Sequence, residues 1–102
     1  MMNQAQMLAQ MRKMQAEMTK AQEELASTVV SGHAGGDAVT VDMTCDFRVT
    51  ALRIAKEAID PDDPETLEDL VTVAFNDALG KVQETSSKRM SSVTGGVRIP
   101  GL

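Results

Sequence analysis

Between residues 7 and 25 the apolar side chains return at a fixed step. Met7, Met11, Met14, Met18, Ala21 and Leu25 are spaced 4, 3, 4, 3 and 4 residues apart. That is the 3.5-residue repeat of a helix with one apolar seam. The residues between are mostly Gln, Glu, Lys, Arg, Ala and Thr, good helix formers for the most part, with no Gly or Pro among them. One helix is expected over 3–25, within a first segment 1–25, about 35 Å long at 1.5 Å per residue. A seam of that length needs a partner surface equally long, and this requirement constrains everything after it.

After Leu25 the period changes. Thr28, Val29 and Val30 are β-branched, and Gly32 and the Gly35-Gly36 pair mark a turn. Val39, Val41 and Met43 alternate with Thr40, Asp42 and Thr44, the period of a half-buried strand. Val49, Leu52 and Ile54 fall out of that phase, and a turn near residues 44–47 is expected to absorb the mismatch. Three strands are expected, at about 26–33, 38–44 and 48–55, joined as a meander within a sheet segment 26–55.

Asp60-Pro61-Asp62-Asp63-Pro64 cannot be regular structure. Asp63 suits a helix N-cap and Pro64 the first helical position. Leu67, Leu70, Val71, Ala74, Phe75, Ala78, Leu79 and Val82 then make a wide apolar face, and the helix is expected over 64–92. Gly80 inside it costs about 1 kcal/mol relative to Ala, which a packing contact would explain. Gly95-Gly96 and Pro100-Gly101 end the order, leaving 93–102 as an expected mobile tail.

The fold class is therefore α+β. A single domain over 1–102 is expected, α-β-β-β-α, with a three-stranded antiparallel sheet and two long helices. Strands of six or seven residues are about 20–23 Å long, too short to cover helices of about 35 and 43 Å. Met7, Met11 and Met14 are left over, so their seam is expected to face a second copy of the chain. The alternative is an antiparallel pairing of the two helices along their full length.

Net charge is −5, from 15 acids and 10 bases. The charge is segregated. Residues 60–80 carry seven acids and no base, whereas 81–102 carry Lys81, Lys88, Arg89 and Arg98 against Glu84 alone. Acid at a helix start and base at its end is ordinary dipole complementation. The same pattern leaves one end of the molecule locally basic enough to meet phosphates. Screening confines the repulsion from the acidic end to about 8–10 Å at physiological salt.

Several functions are disfavoured. Phe47 and Phe75 are the two aromatic residues, too few for a platform that stacks single-stranded bases. One Cys and one His cannot assemble a structural zinc cluster. Cys45 is expected in a turn or core, and a reducing cytoplasm fits a lone cysteine. The N-terminus lacks the pattern of a signal peptide, and no run of 18 apolar residues exists to span a membrane. His33 with Cys45 or Asp37 has no catalytic spacing, and Asp62-Asp63 and Glu68-Asp69 lie where capping explains them. Gly32-x-x-Gly35-Gly36 opens no helix and is not a phosphate loop. No enzyme activity, cofactor, metal or small-molecule substrate is expected.

The string Asp60-Pro61-Asp62-Asp63-Pro64-Glu65-Thr66-Leu67-Glu68-Asp69-Leu70-Val71, followed by Ala74-Phe75-Asn76-Asp77-Ala78, resembles the bacterial YbaB/EbfC family of nucleoid-associated DNA-binding proteins. The Met/Gln/Lys-rich first helix, the Gly36-Asp37…Val39-Thr40-Val41 strand and the tail Met90…Thr94-Gly95-Gly96-Val97…Pro100-Gly101 fall in family order. The resemblance covers nearly the whole chain. It implies a homodimer of α-β-β-β-α protomers, a tweezer-like assembly whose helical arms bind double-stranded DNA with little sequence preference. Nucleoid organisation, gene regulation and a place in the cytoplasm at the nucleoid go with it. Carried over residue by residue, the DNA contacts are Arg12, Lys13 and Lys20 on the first helix, Lys81, Lys88 and Arg89 on the second, and Arg98 from the tail. Dimer contacts are expected from Met7, Met11, Met14 and Met18, and from Leu70 and Phe75 in the signature string. Two features depart from a strong DNA binder. The first helix has three bases balanced by three acids, and Gly80 stands where a charged residue would extend the helix surface.

On residues alone, a second function stands beside this one. The Met-rich face suits a protein-interaction or adaptor module, because Met surfaces adapt to varied partners. The acidity fits that reading better than it fits DNA. Salt-dependent binding to a duplex separates the two.

Overall fold

A computed structural model describes residues 3–93 of the chain. The elements run α1 (Gln4–Ser27), β1 (Val29–Ala34), β2 (Val39–Thr44), β3 (Val49–Ile54), a short 3-10 turn (Lys56–Ala58) and α2 (Pro64–Val93). The three strands form one antiparallel sheet in the order β1-β2-β3. The expected α-β-β-β-α plan is the observed one. The expected tail residues 94–102 lie outside the described residues, while Val93 is the last residue of α2 and is buried.

Local chemistry sets the boundaries. Asn3 caps α1: its side chain accepts from the Gln6 amide at 2.8 Å, and the Gln6 side chain accepts from the Asn3 amide at 3.1 Å. At the other end Ser27 and Thr28 turn their hydroxyls back onto the Glu24 carbonyl, at 3.0 and 2.6 Å. These bonds carry α1 two residues past Leu25, so β1 starts at Val29 and not at 26. At the start of α2, Asp63 accepts from the Thr66 amide at 3.3 Å, with Pro64 in the first helical position.

The phase slip in the sequence has two causes. One is the turn after β2, where Phe47 adopts φ 68°, strained for a bulky side chain. The other is a bulge at Asp42/Met43, where Met43 pairs with Val49 and Asp42 with Ala51. The bulge restores Val49, Leu52 and Ile54 to the face that carries Met43, Val41 and Val39.

That face meets α2. Val39, Val41, Met43 and Val82 are fully buried, with Ala74 and Ala78 between them. Gly32 makes the approach possible. A Cβ there would lie 2.2 Å from the Ala74 carbonyl oxygen and 2.4 Å from the Ala78 amide nitrogen. The helix backbone therefore rests on the strand itself. α2 crosses β1 and β2 and largely misses β3, which leaves Leu52 half exposed on the apolar face.

The chain runs antiparallel to α2 from β1 back into α1. Gly35 faces Leu70, Gly32 faces Ala74 and Ala78, Ser31 meets Lys81, and Glu24 meets Arg89. Continuing that register, α2 ends near Lys20 of α1. All residues from Asn3 to Lys20 are exposed. The two helices therefore overlap only near the C-terminal end of α1 and do not pair along their full length. The molecule measures 70 × 24 × 16 Å, with a radius of gyration of 19.4 Å. A compact chain of this length would have about 13 Å.

Candidate nucleic-acid interface

The first 17 residues of α1 form an arm about 25 Å long beyond the body. At 100° per residue, Met7, Met11, Met14 and Met18 share a stripe about 60° wide. The stripe begins at its base with Leu25, buried against the core, and becomes open toward the tip, where Met11 is 65% exposed. Arg12, Lys13 and Lys20 project about 130–150° away from its centre. The arm thus has an apolar face and an opposite face carrying its bases. Glu17 is the one acid between Asn3 and Lys20. None of the three bases makes an ion pair with a described residue.

The bases expected on the second helix are differently employed. Lys81 donates from Nζ to the Ser31 carbonyl at 2.5 Å and pairs with Asp77 at 3.4 Å. Asp77 in turn accepts from the His33 amide at 2.9 Å. Ser31 and His33 point these groups away from β2, so the two helix side chains cap the free edge of the sheet. The His33 amide, then Lys81, holds the Asp77 carboxyl below its usual range. Lys88 pairs with Glu84 at 3.0 Å, one turn away and open to solvent. Arg89 donates from Nε to Glu24 at 2.8 Å and from a second nitrogen to Ser92 Oγ at 3.3 Å. That hydrogen bond depresses the Glu24 pKa, with Lys20 adding a smaller attraction. Arg98 lies outside the described residues.

The structure therefore brings together Arg12, Lys13 and Lys20 on one outward surface and assigns Lys81 and Arg89 to contacts within the fold. Of the expected dimer residues, the four methionines line the arm. Leu70 packs against the protomer's own core, and Phe75 is 38% exposed on α2. Glu24 carried no local signal of its role, because its partner is 65 residues away. The seven acids of 60–80 sit on the loop and α2, outside the arm.

The remaining side-chain clusters make their contacts within the fold. On the sheet face away from α2, Asp42 accepts a bidentate pair from Arg53 at 2.8 and 3.0 Å and a hydrogen bond from Ser31 at 2.6 Å. Arg53, then Ser31, lowers its pKa. His33 Nδ1 lies 3.3 Å from Thr40 Oγ1 and 3.5 Å from Asp37. Cys45 is buried, and burial, then the Asp46 charge, pushes its thiol pKa up. That is the opposite of what a nucleophile needs. No described helix is long and apolar enough to cross a membrane.

Comparison with known proteins shows the family and the fold. The model of the YbaB/EbfC DNA-binding family matches residues 1–97. A nucleoid-associated protein of Chloroflexus aurantiacus is 47% identical over 97 residues, which are 95% of this chain and 97% of that protein. One from Ligilactobacillus salivarius is 46% identical over 101 residues, 99% of this chain and 95% of its own. The crystal structure of an uncharacterized Helicobacter pylori protein shares the fold with a TM-score of 0.81. It covers 93% of this chain and 100% of its own at 21% identity.

Proposed function

This chain belongs to the YbaB/EbfC DNA-binding family, and from that premise we propose that it binds double-stranded DNA as a homodimer, through the basic faces of two α1 arms. The observation that carries the reading is the arm itself: three bases with no ion-pair partner among the described residues, opposite an open methionine stripe. The contacts are Arg12, Lys13 and Lys20, with Lys88 at the end of α2 adding to the field. They are single side chains on a rigid helix, suited to phosphate oxygens, and they form no set that would read base edges. Binding with little sequence preference follows, as does a role in organising the nucleoid and, through occupancy, in gene regulation.

The exposed surface supports the dimer. The chain exposes 7527 Å², roughly 1,900 Å² more than a compact monomer of its mass. A standard interface covers about 800 Å² on each partner. The methionine stripe, Phe75 and the uncovered Leu52 side of the sheet are the apolar surface for it. An isologous contact would place the same stripe on both protomers and leave both basic faces outward.

Titration of a labelled non-specific duplex over a range of salt tests the reading. Two arms neutralising four to six phosphates give a slope of log K against log salt of about −3.6 to −5.4. No binding at low salt would overturn it and favour an adaptor that uses the stripe for a protein partner.

A further inference from the structure

The attachment of the arm is slight, and its parts can be named. Ala21 and Leu25 are its buried apolar residues. The last turn is tied to the turn after β2, where the Cys45 amide donates to the Leu25 carbonyl at 3.1 Å and Arg48 reaches the Ala26 carbonyl at 3.4 Å. One ion pair among the described residues joins α1 to α2, Arg89 to Glu24 at 2.8 Å. Arg89 is held from its other side by Ser92, and its side chain is 28% exposed. The backbone bonds pin the end of the helix. The ion pair lies one residue further out than Leu25, between the buried Leu25 and Ala21, and braces the helix against α2.

We propose that Glu24 and Arg89 form a latch that sets the angle of the arm, so that Arg89 controls DNA affinity by positioning Arg12 and Lys13 and not by touching phosphate. The proposal rests on the DNA-binding reading above. Leverage gives a weak contact its importance. Arg12 and Lys13 lie about 17 Å along the helix from Glu24, so a tilt of 10° moves them about 3 Å. That is the full length of a hydrogen bond. A surface ion pair adds little to folding, yet it can decide whether two arms meet a duplex together.

Glu24→Ala gives a sign test. It raises the net charge by one and frees Arg89. If Arg89 touches phosphate, duplex binding is unchanged or tighter. If the pair is a latch, binding weakens, about three- to tenfold when both arms of a dimer lose it. Arg89→Gln weakens binding with an unaltered salt slope under the latch. A slope shallower by about one per protomer marks a lost phosphate contact and overturns the proposal. Arg89→Lys keeps the charge pair and restores most of the affinity.

The arm is read directly by spin labels at Gln10→Cys and Gln83→Cys, both exposed positions, in labelled protein diluted with unlabelled wild type. Buried Cys45 resists labelling. The distance distribution should be narrow in the wild-type background and broad with Glu24→Ala. An unchanged distribution overturns the latch. Should the wild type fail to bind duplex at low salt, the DNA-binding reading falls, while the label distances still decide whether the latch exists.

Discussion

The body and the arm of this protein obey different rules. In the body, α2 lies on β1 at van der Waals contact, Val39, Val41 and Val82 have no exposed surface, and the free sheet edge is capped by Asp77 and Lys81. In the arm no residue from Asn3 to Lys20 is buried, although the seam is as regular as any in the chain. Local sequence supplies helix in both places. Among the described residues, only in the body does the protomer supply something for the helix to pack against. A regular apolar stripe with nothing under it is an unsatisfied surface, and an arm that holds its bases away from an acidic body can meet a polyanion that the body repels. On the proposed reading, folding and binding are divided between the two regions, and each can be perturbed alone.

The largest expected effect belongs to the body. Gly32→Val puts side-chain atoms into the Ala74 and Ala78 backbone, which cannot yield as a flexible side chain would. A loss of about 3 kcal/mol or more is expected, read by urea denaturation. Retention of wild-type stability would break the claim that α2 rests on that strand. Next comes the arm. If the stripe is the proposed dimer surface, Met11→Glu should leave the protomer's helix content intact and halve the mass seen in sedimentation. An unfolded product would place Met11 in the body after all.

Acid separates the regions further. Asp77, Asp42 and Glu24 have folded pKa values below their ordinary 3.8 and 4.5, each through a hydrogen bond from a partner in the fold. In the window below about pH 4.5 the unfolded chain binds more protons than the folded one. Stability is therefore full above that pH and falls as the pH drops through the lowered values. Melting curves from pH 3 to 6 should show it, and Asp77→Asn should flatten the dependence. The smallest effect is a gain. A Cβ at Gly80 would meet nothing within 4 Å, so Gly80→Ala should stabilise the protomer by about 0.5–1 kcal/mol. If the same change weakens the dimer instead, Gly80 lies against the partner, which would explain why it is there.

Much of this was readable from the residues. The Met stripe, the Val39–Val41–Met43 alternation and the Asp63-Pro64 start each state their element through local periodicity or capping. What was not readable depended on distance in the chain. Gly32 looked like a turn residue because its partner helix lies more than 40 positions away. The bulge at Asp42 was hidden because a turn alone could explain the phase. Lys81 and Arg89 looked like free bases because Ser31 and Glu24 are 50 and 65 residues from them. Spacing along a helix shows where a base points on that helix, and nothing about which carboxylate or carbonyl the fold brings to it. Arg12, Lys13 and Lys20 stand out in the structure for what the sequence could not show, the absence of such a partner among the described residues.

If the arm's basic face carries DNA binding, duplex affinity at low and physiological salt separates the wild type from Arg12→Glu/Lys13→Glu, with folding checked by circular dichroism. Both positions are exposed and outside the core, so the variant should fold and melt as the wild type does. Wild-type binding should fall steeply with salt, and the variant should no longer bind at physiological salt. Wild-type affinity in the folded variant would contradict that reading and move the DNA contacts off the arm.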